Sequence, residues 1–475
     1  MISFTFAIIF LILGYIIYGS FVEKVFGADK NNKTPAILNP DGVDYVPLPW
    51  WKIFLIQFLN IAGLGPIFGA IMGIMFGPAA FLWIVLGTIF AGAVHDYISG
   101  MLSIRQNGSS LPEIVGTQLG NGVKQFMRGF SVLLLVLVGA VFVSGPAGLL
   151  NGIAPYLSST WWAVIVFSYY IMATLLPIDK LIGKLYPVFG FALLFMALGI
   201  LIAIYARSAA VPELWQGIAN QNPQNLPIFP MMFISIACGA ISGFHATQSP
   251  LMARCIKNEK MGKRIFYGAM VSEGIVALIW AAAASSFYGS IVGLQDYVSS
   301  LPSTANKAAI VVNEISHSWL GVFGGLLAML GVIIAPITSG DTALRSARLI
   351  VADFLNFNQK PIKNRLLVSI PLFVVTFLLL QINFDILWRY FAWSNQTLSV
   401  FTLWACTFYL MKENRQYLIC LFPAMFMTAV SVSYILYAPE GLKLPYVLSI
   451  SLGIFTSIVF LLIFLNTRKK FRKSI

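Results

Sequence analysis

Apolar residues run through this chain in blocks near 20 long, set apart by short polar breaks. A helix of that length spans about 30 Å, enough to cross the hydrocarbon core of a bilayer. Thirteen spans are predicted, at approximately 3–20, 50–76, 78–104, 126–150, 160–178, 185–206, 228–252, 264–288, 319–342, 365–382, 386–410, 416–437 and 445–466. The long polar excursions are 21–48, 207–227 and 289–318, and "TANKAAIVVNEISHS" in the last predicts a short helix lying over the membrane face. The expected fold class is an all-α polytopic membrane protein forming a single transmembrane domain. The first block has no basic segment before it and no small-residue cleavage site after it, so it is expected to be a retained span.

Two blocks are punctured. "NIAGLGPIFGAIMG" (60–73) carries Gly63, Gly65, Pro66 and Gly69, and "GAISGFHATQSP" (239–250) carries glycines, Ser242, His245, Thr247, Gln248, Ser249 and Pro250. Unpaired backbone groups cost several kcal/mol in hydrocarbon, so irregular chain survives there only where protein or a solute lines it. The glycines alone would also suit close helix packing. Paired breaks at matched places point instead to the midplane site of a secondary transporter.

The first break opens the five spans from 50 to 206, and the second opens the five from 228 to 410, starting from the opposite side. That order predicts a five-plus-five inverted repeat. Residues 1–47 form an extra N-terminal helix and loop, 48–206 the first repeat, 228–411 the second, and 412–475 two more helices with a basic tail. Candidate solute ligands are Asn60, Ala62, Gly63, Gly65, Gly239, Ser242, Gly243, His245, Thr247 and Gln248. A half-helix N-terminus at the break favours an anion. "RYFAWSNQTLS" adds Asn395 and Gln396, which either bind solute or bond a neighbouring helix.

Ionisable groups at depth are candidates for coupling. His95 and Asp96 in "AGAVHDYISG" precede Arg105 by about nine residues, or ~13 Å. Glu273 follows Arg264 at similar depth. Either type of group can carry a proton, and either can instead form a structural pair. "APITSGDTALRSAR" ends the ninth predicted span with Thr338, Ser339 and Asp341, hard oxygen ligands for a sodium ion or else caps of a helix end.

Composition agrees with the pattern: 59% of the 475 residues are hydrophobic and 10% charged. The net charge of +13 is topological. With an outside N-terminus, 25 of the 30 Lys and Arg residues fall on one side and only Arg207, Lys307 and Lys443 on the other, with Lys52 and Arg389 at span edges. The positive-inside rule then places the C-terminus in the cytoplasm. Nucleic acid is not needed to explain the charge.

Cys238, Cys255, Cys406 and Cys420 form no C-x-x-C pair and are expected to be packing residues. No cofactor is called for. A metal site would need His95, Asp96, His245 and Cys238 to meet. "AISG" beside His245 resembles an intramembrane protease motif only faintly, since Ala240 stands where a glycine belongs, and an enzyme is not expected. A channel needs only a polar pore, whereas the interrupted halves point to alternating access.

"NPDGVDYVP" (39–47), "IAGLGPIFGAIMG" (61–73), "AGAVHDY" (91–97), "RQNGSSLPEIVG" (105–116), "ACGAISGFHATQSP" (237–250) and "YFAWSNQTL" (390–398) closely resemble the carbon starvation protein A family over nearly the whole chain. The resemblance implies a bacterial inner-membrane transporter with an amino acid–polyamine–cation-type core. It also implies uptake of peptides or of pyruvate with protons, in nutrient scavenging. The expected function is a proton-coupled importer of short peptides or a small monocarboxylate. The alternative is a sodium-coupled amino-acid or organic-acid symporter, with a channel, sensor or enzyme further off. Partners are the solute, H⁺ or Na⁺, and membrane lipid; oligomeric state is left open.

Overall fold

The computed structural model describes residues 1–42, 44–154, 156–175, 182–302, 306–359 and 361–474. Among them, nine helices are long and apolar enough to cross a membrane, and a tenth span is the pair Trp50–Ala62 and Gly65–Ile74, bent by 51° at its break. Ser159–Leu175, the broken segment over 228–253, and Phe384–Lys412 account for the remaining predicted spans. The chain is a multi-pass helical membrane protein.

Side-chain and backbone bonds between loops sort the chain into two faces. On one, Met1 pairs with Glu213 at 2.5 Å, Gln221 N donates to Phe76 O, and Gln295 Nε2 donates to Gln221 O. On the other, Leu48 N donates to Cys255 O, Arg105 pairs with Glu259, and Lys412 Nζ donates to Gln118 O. Each contact joins segments that the Lys and Arg alternation assigns to one side, so the N-terminal face and the basic face are opposite.

Four expectations change. The first helix continues past residue 20 to Phe26, because Val22, Val25 and Phe26 are buried; Gly27, at φ 66°, ends it as a left-handed cap. Two short helices, Leu111–Leu119 and Ile291–Ser300, fill excursions with no strong apolar signal. The ninth span does not end at 342. It belongs to a helix from Lys307 to Leu355 kinked at Gly321, so Thr338, Ser339 and Asp341 lie in mid-helix, not at a capped end. Pro250 sits inside the helix Gly243–Ala253 and does not make the second break.

Candidate functional site

The first break follows from two residues. Pro66 has no N–H to donate to the carbonyl of Ala62, four residues back. Gly63 takes φ 29°, ψ −138°, and a Cβ there would come within 2.8 Å of the Phe142 ring. Helical bonding resumes where Phe68 N donates to Leu64 O. The orphaned carbonyl of Leu59 accepts from Ser339 Oγ at 3.0 Å.

At the second break the helix stops at Ser235 and restarts at Gly243, with Ser242 extended between them. Its backbone is satisfied by neighbouring spans, as burial demands. Thr88 Oγ1 donates to Gly239 O at 3.1 Å, and Gln396 Nε2 donates to Ile241 O at 2.9 Å. Asn395 Oδ1 accepts from Phe244 N at 2.6 Å and Ser242 Oγ at 3.0 Å. Asn395 and Gln396 therefore hold the break itself. The anion-favouring N-terminus of Gly243–Ala253 already faces an amide oxygen.

The two breaks touch. A Cβ at Gly65 would lie 2.1 Å from Cys238 Cβ, and one at Gly239 would lie 3.8 Å from Pro66 Cα. The inner half-helices are tied to the Lys307–Leu355 helix, where Thr342 Oγ1 donates to Asn60 Oδ1 and Ser346 Oγ donates to Thr247 O. They also reach each other, Gln57 Nε2 to Ser249 Oγ at 3.5 Å. Thr247 Oγ1 itself donates back to Phe244 O. Among the described residues, Gln57 Oε1, Asn60 Nδ2, Gln248 Oε1 and Gln396 Oε1 are buried without a hydrogen-bond partner. Each is unused amide capacity on or beside the broken spans, the kind of exception that needs a reason. Gln57 was not singled out in the sequence; its signal is its place one turn before Asn60 on the same face of an apolar helix.

Beside the second break lies a line of four buried ionisable side chains. His95 Nδ1 donates to Asp96 Oδ1 at 2.7 Å, and His245 Nδ1 donates to Asp96 Oδ2 at 2.8 Å. On the far edge of that ring, His245 Nε2 is 3.3 Å from Glu273 Oε2. All four residues are 0% exposed. One carboxylate accepting from both Nδ1 atoms fixes both imidazoles as Nδ1–H tautomers. Among the described residues, His95 Nε2, His245 Nε2 and both Glu273 oxygens are buried without a hydrogen-bond partner. His95, Asp96, His245 and Glu273 come from three separate spans, so the sequence does not reveal this line.

The sodium candidates do not converge in the same way. Ser339 faces the first break, Thr338 Oγ1 bonds its own helix at Ala335 O, and Asp341 accepts from Tyr186 Oη at 2.6 Å. Cys238 contacts Ser242 and Asn395, apart from the histidines. Among the described residues no three His, Cys, Asp or Glu side chains form a metal-holding group.

Two broken helices that meet beside buried titratable groups, in a helical membrane chain, are the arrangement of a membrane transporter. A solved sodium-coupled sialic acid symporter shares the fold, with a TM-score of 0.55 at 14% identity over 97% of this chain and 96% of that one. The family model described as carbon starvation protein CstA matches residues 1–155 and 146–322, and the chain belongs to that family. A membrane protein of Haemophilus influenzae is 44% identical over 66% of this chain and 99% of its own length. A "Peptide transporter CstA" of Campylobacter jejuni is 27% identical over 66% of this chain and 53% of its own length. The "Pyruvate/proton symporter BtsT" of Escherichia coli is 28% identical over 58% of this chain and 47% of its own length. The match thus spans about half the length of the last two.

Proposed function

We propose that this chain is a proton-coupled importer of short peptides or a small monocarboxylate such as pyruvate, working by alternating access in a bacterial inner membrane. The observation that carries the reading is the line His95–Asp96–His245–Glu273, which joins a proton-holding group directly to the second broken helix. A proton entering between His245 and Glu273 changes the charge beside the break, and so changes the affinity of the break for a carboxylate. The names of the Campylobacter and Escherichia relatives support the solute classes and the coupling ion.

Asn60, Ala62, Gly63, Gly65, Gly239, Ser242, Gly243, Thr247 and Gln248 are taken as the solute-facing set, with Gln57 added and Asn395 and Gln396 acting as its supports. Residues 48–206 and 228–411 are taken as the inverted repeats, flanked by 1–47 and 412–475. The basic face is assigned to the cytoplasm, with the N-terminus outside and the C-terminus inside.

The purified chain in proteoliposomes tests this. An inward proton gradient should drive accumulation of pyruvate or a dipeptide, and adding the solute should acidify a pH dye trapped inside. No accumulation with any member of a carboxylate and peptide panel would reject the proposal. The sodium variant has one observation in its favour, Ser339 Oγ against the Leu59 carbonyl at the first break. It predicts uptake that requires external Na⁺ and is lost in Ser339→Ala.

A further inference from the structure

One cavity of about 370 Å³ opens on the N-terminal face between the outer halves of both broken spans. Phe68 and Met72 come from the first and Met231 and Ser235 from the second. Its floor is aromatic, with the Phe68 and Trp388 rings 6.0 Å apart and Phe384 stacked on Trp388 at 5.9 Å. Below, rings continue from Trp388 to Phe391, Phe142 and Phe244 at 5.5, 5.8 and 6.3 Å, ending at the second break. The mouth is cationic. Only a handful of Lys and Arg residues lie on this face, and two of them, Lys307 and Arg389, line this one cavity. Glu440 approaches Arg389 through Nε at 3.8 Å and also accepts from Tyr434 Oη, which anchors the guanidinium at the rim. No ion pair of Lys307 occurs among the described residues.

Cations above an apolar aromatic floor select one kind of ligand, an anion with an apolar body. We infer that this vestibule is a binding site for a carboxylate-bearing solute, occupied before the solute passes Phe68 and Trp388 to reach the breaks. Lys307 and Arg389 take the carboxylate, and the ring floor takes the body. The volume falls in the ~300–1,000 Å³ range of small-molecule sites. The inference rests on the transporter reading for its purpose, but the binding itself does not require transport.

The test uses a single added thiol. All four natural cysteines are buried, so Ser299→Cys, on the exposed cavity wall, gives the full chain one thiol open to a membrane-impermeant maleimide. Alanyl-leucine, its C-terminal amide and pyruvate are compared as protectants. Alanyl-leucine should slow labelling while the amide does not, and pyruvate shows whether the carboxylate suffices without the body. Lys307→Gln in that background should raise the half-protecting concentration roughly threefold to fivefold, the scale of a partly exposed charge contact, and added salt should do the same. In uptake, Lys307→Gln should raise KM by the same factor with Vmax kept. Equal protection by acid and amide, or Lys307→Gln protected like its parent, would overturn the site. Absence of uptake with protection intact would instead overturn the transporter reading alone.

Discussion

Asp96 is the most informative residue to change, because both of its oxygens are committed and it bears on stability and coupling differently. In Asp96→Ala the Nδ1–H groups of His95 and His245 lose their shared acceptor in a site with no exposure. A buried unpaired donor costs about 1–3 kcal/mol, so the pair costs about 2–6 kcal/mol. Asp96→Asn keeps one acceptor and turns one donor around. One imidazole can keep its bond, and the other must move its hydrogen to Nε2. Little more than the charge assistance of two bonds is lost, on the order of 1–3 kcal/mol. The charge matters more to function. Asp96 is the acceptor shared by both imidazoles, so its charge is the one tied most directly to the second break. Three measurements separate the effects: a melting curve in detergent, pyruvate counterflow at equal pH, and accumulation under an inward proton gradient. Asp96→Asn should melt near the parent, keep counterflow and lose accumulation at least tenfold, while Asp96→Ala should melt far lower. Accumulation by Asp96→Asn at the parental level would refute the coupling role. Equal losses of counterflow and accumulation with melting unchanged would move Asp96 from coupling to solute binding.

Gly65→Ala should lower the melting temperature by an overpacking cost of about 1–3 kcal/mol, since its Cβ would sit on that of Cys238; Cys238→Gly should rescue it and Cys238→Ala should not. Asn395→Ala strands the buried Phe244 N–H and should destabilise by about 1–3 kcal/mol, with Asn395→Asp losing less because an acceptor remains; equal melting of the two would refute the capping role. On the basic face, burial pushes the Glu113 carboxyl up, but Lys124 and Arg128 outweigh it and hold it below the usual carboxylate range. A lowered folded-state pKa contributes stability that is complete above the ordinary value of ~4.3 and fades as pH falls through the lowered one. Glu113→Gln should therefore melt below the parent at pH 7 and converge with it in acid, and a constant gap would refute the ion pairs as its cause.

The multi-pass helical fold, the two breaks and the two faces were legible because each depends on local sequence: apolar run length, glycine and proline placement, and the side on which Lys and Arg fall. What the sequence hides is what meets across spans. His95 and Asp96 are adjacent in the chain, yet their use depends on His245 and Glu273, 149 residues beyond Asp96 in the first case and on a different span in the second. Asn395 and Gln396 were equally compatible with holding solute or holding a neighbour, and only packing against Phe244 N and Ile241 O decides for the neighbour. "APITSGDTALRSAR" misled for a different reason. Polar residues near two arginines look like a helix leaving the membrane, but here the arginines are themselves buried and the helix runs on to Leu355.

Asp41, Asp44, Tyr45 and Leu48, before the first broken span, make the two ends of the broken spans differ. Asp41 Oδ1 accepts from Asp44 N and Tyr45 N. Beyond those bonds, Tyr45 Oη donates to Asn107 O, Leu48 N donates to Cys255 O, and Asp44 lies 3.8 Å from Arg345. The strap thus joins the basic-face ends of the third span, the second broken span and the Lys307–Leu355 helix, while on the opposite face the outer half-helices part around a 370 Å³ cavity. On the transporter reading, opening the basic face means breaking these three polar contacts, each worth about 0.5–1.5 kcal/mol net, for a total of roughly 1.5–4.5 kcal/mol. That is the range that differential binding of a solute and a proton can supply, since about 5.5 kcal/mol carries a two-state equilibrium from one side almost wholly to the other. A strap much stronger would lock the carrier, and one much weaker would leave both faces open at once. On the transporter reading, the fold places its stiff contacts at the crossing of the breaks and its breakable ones at the inner exit.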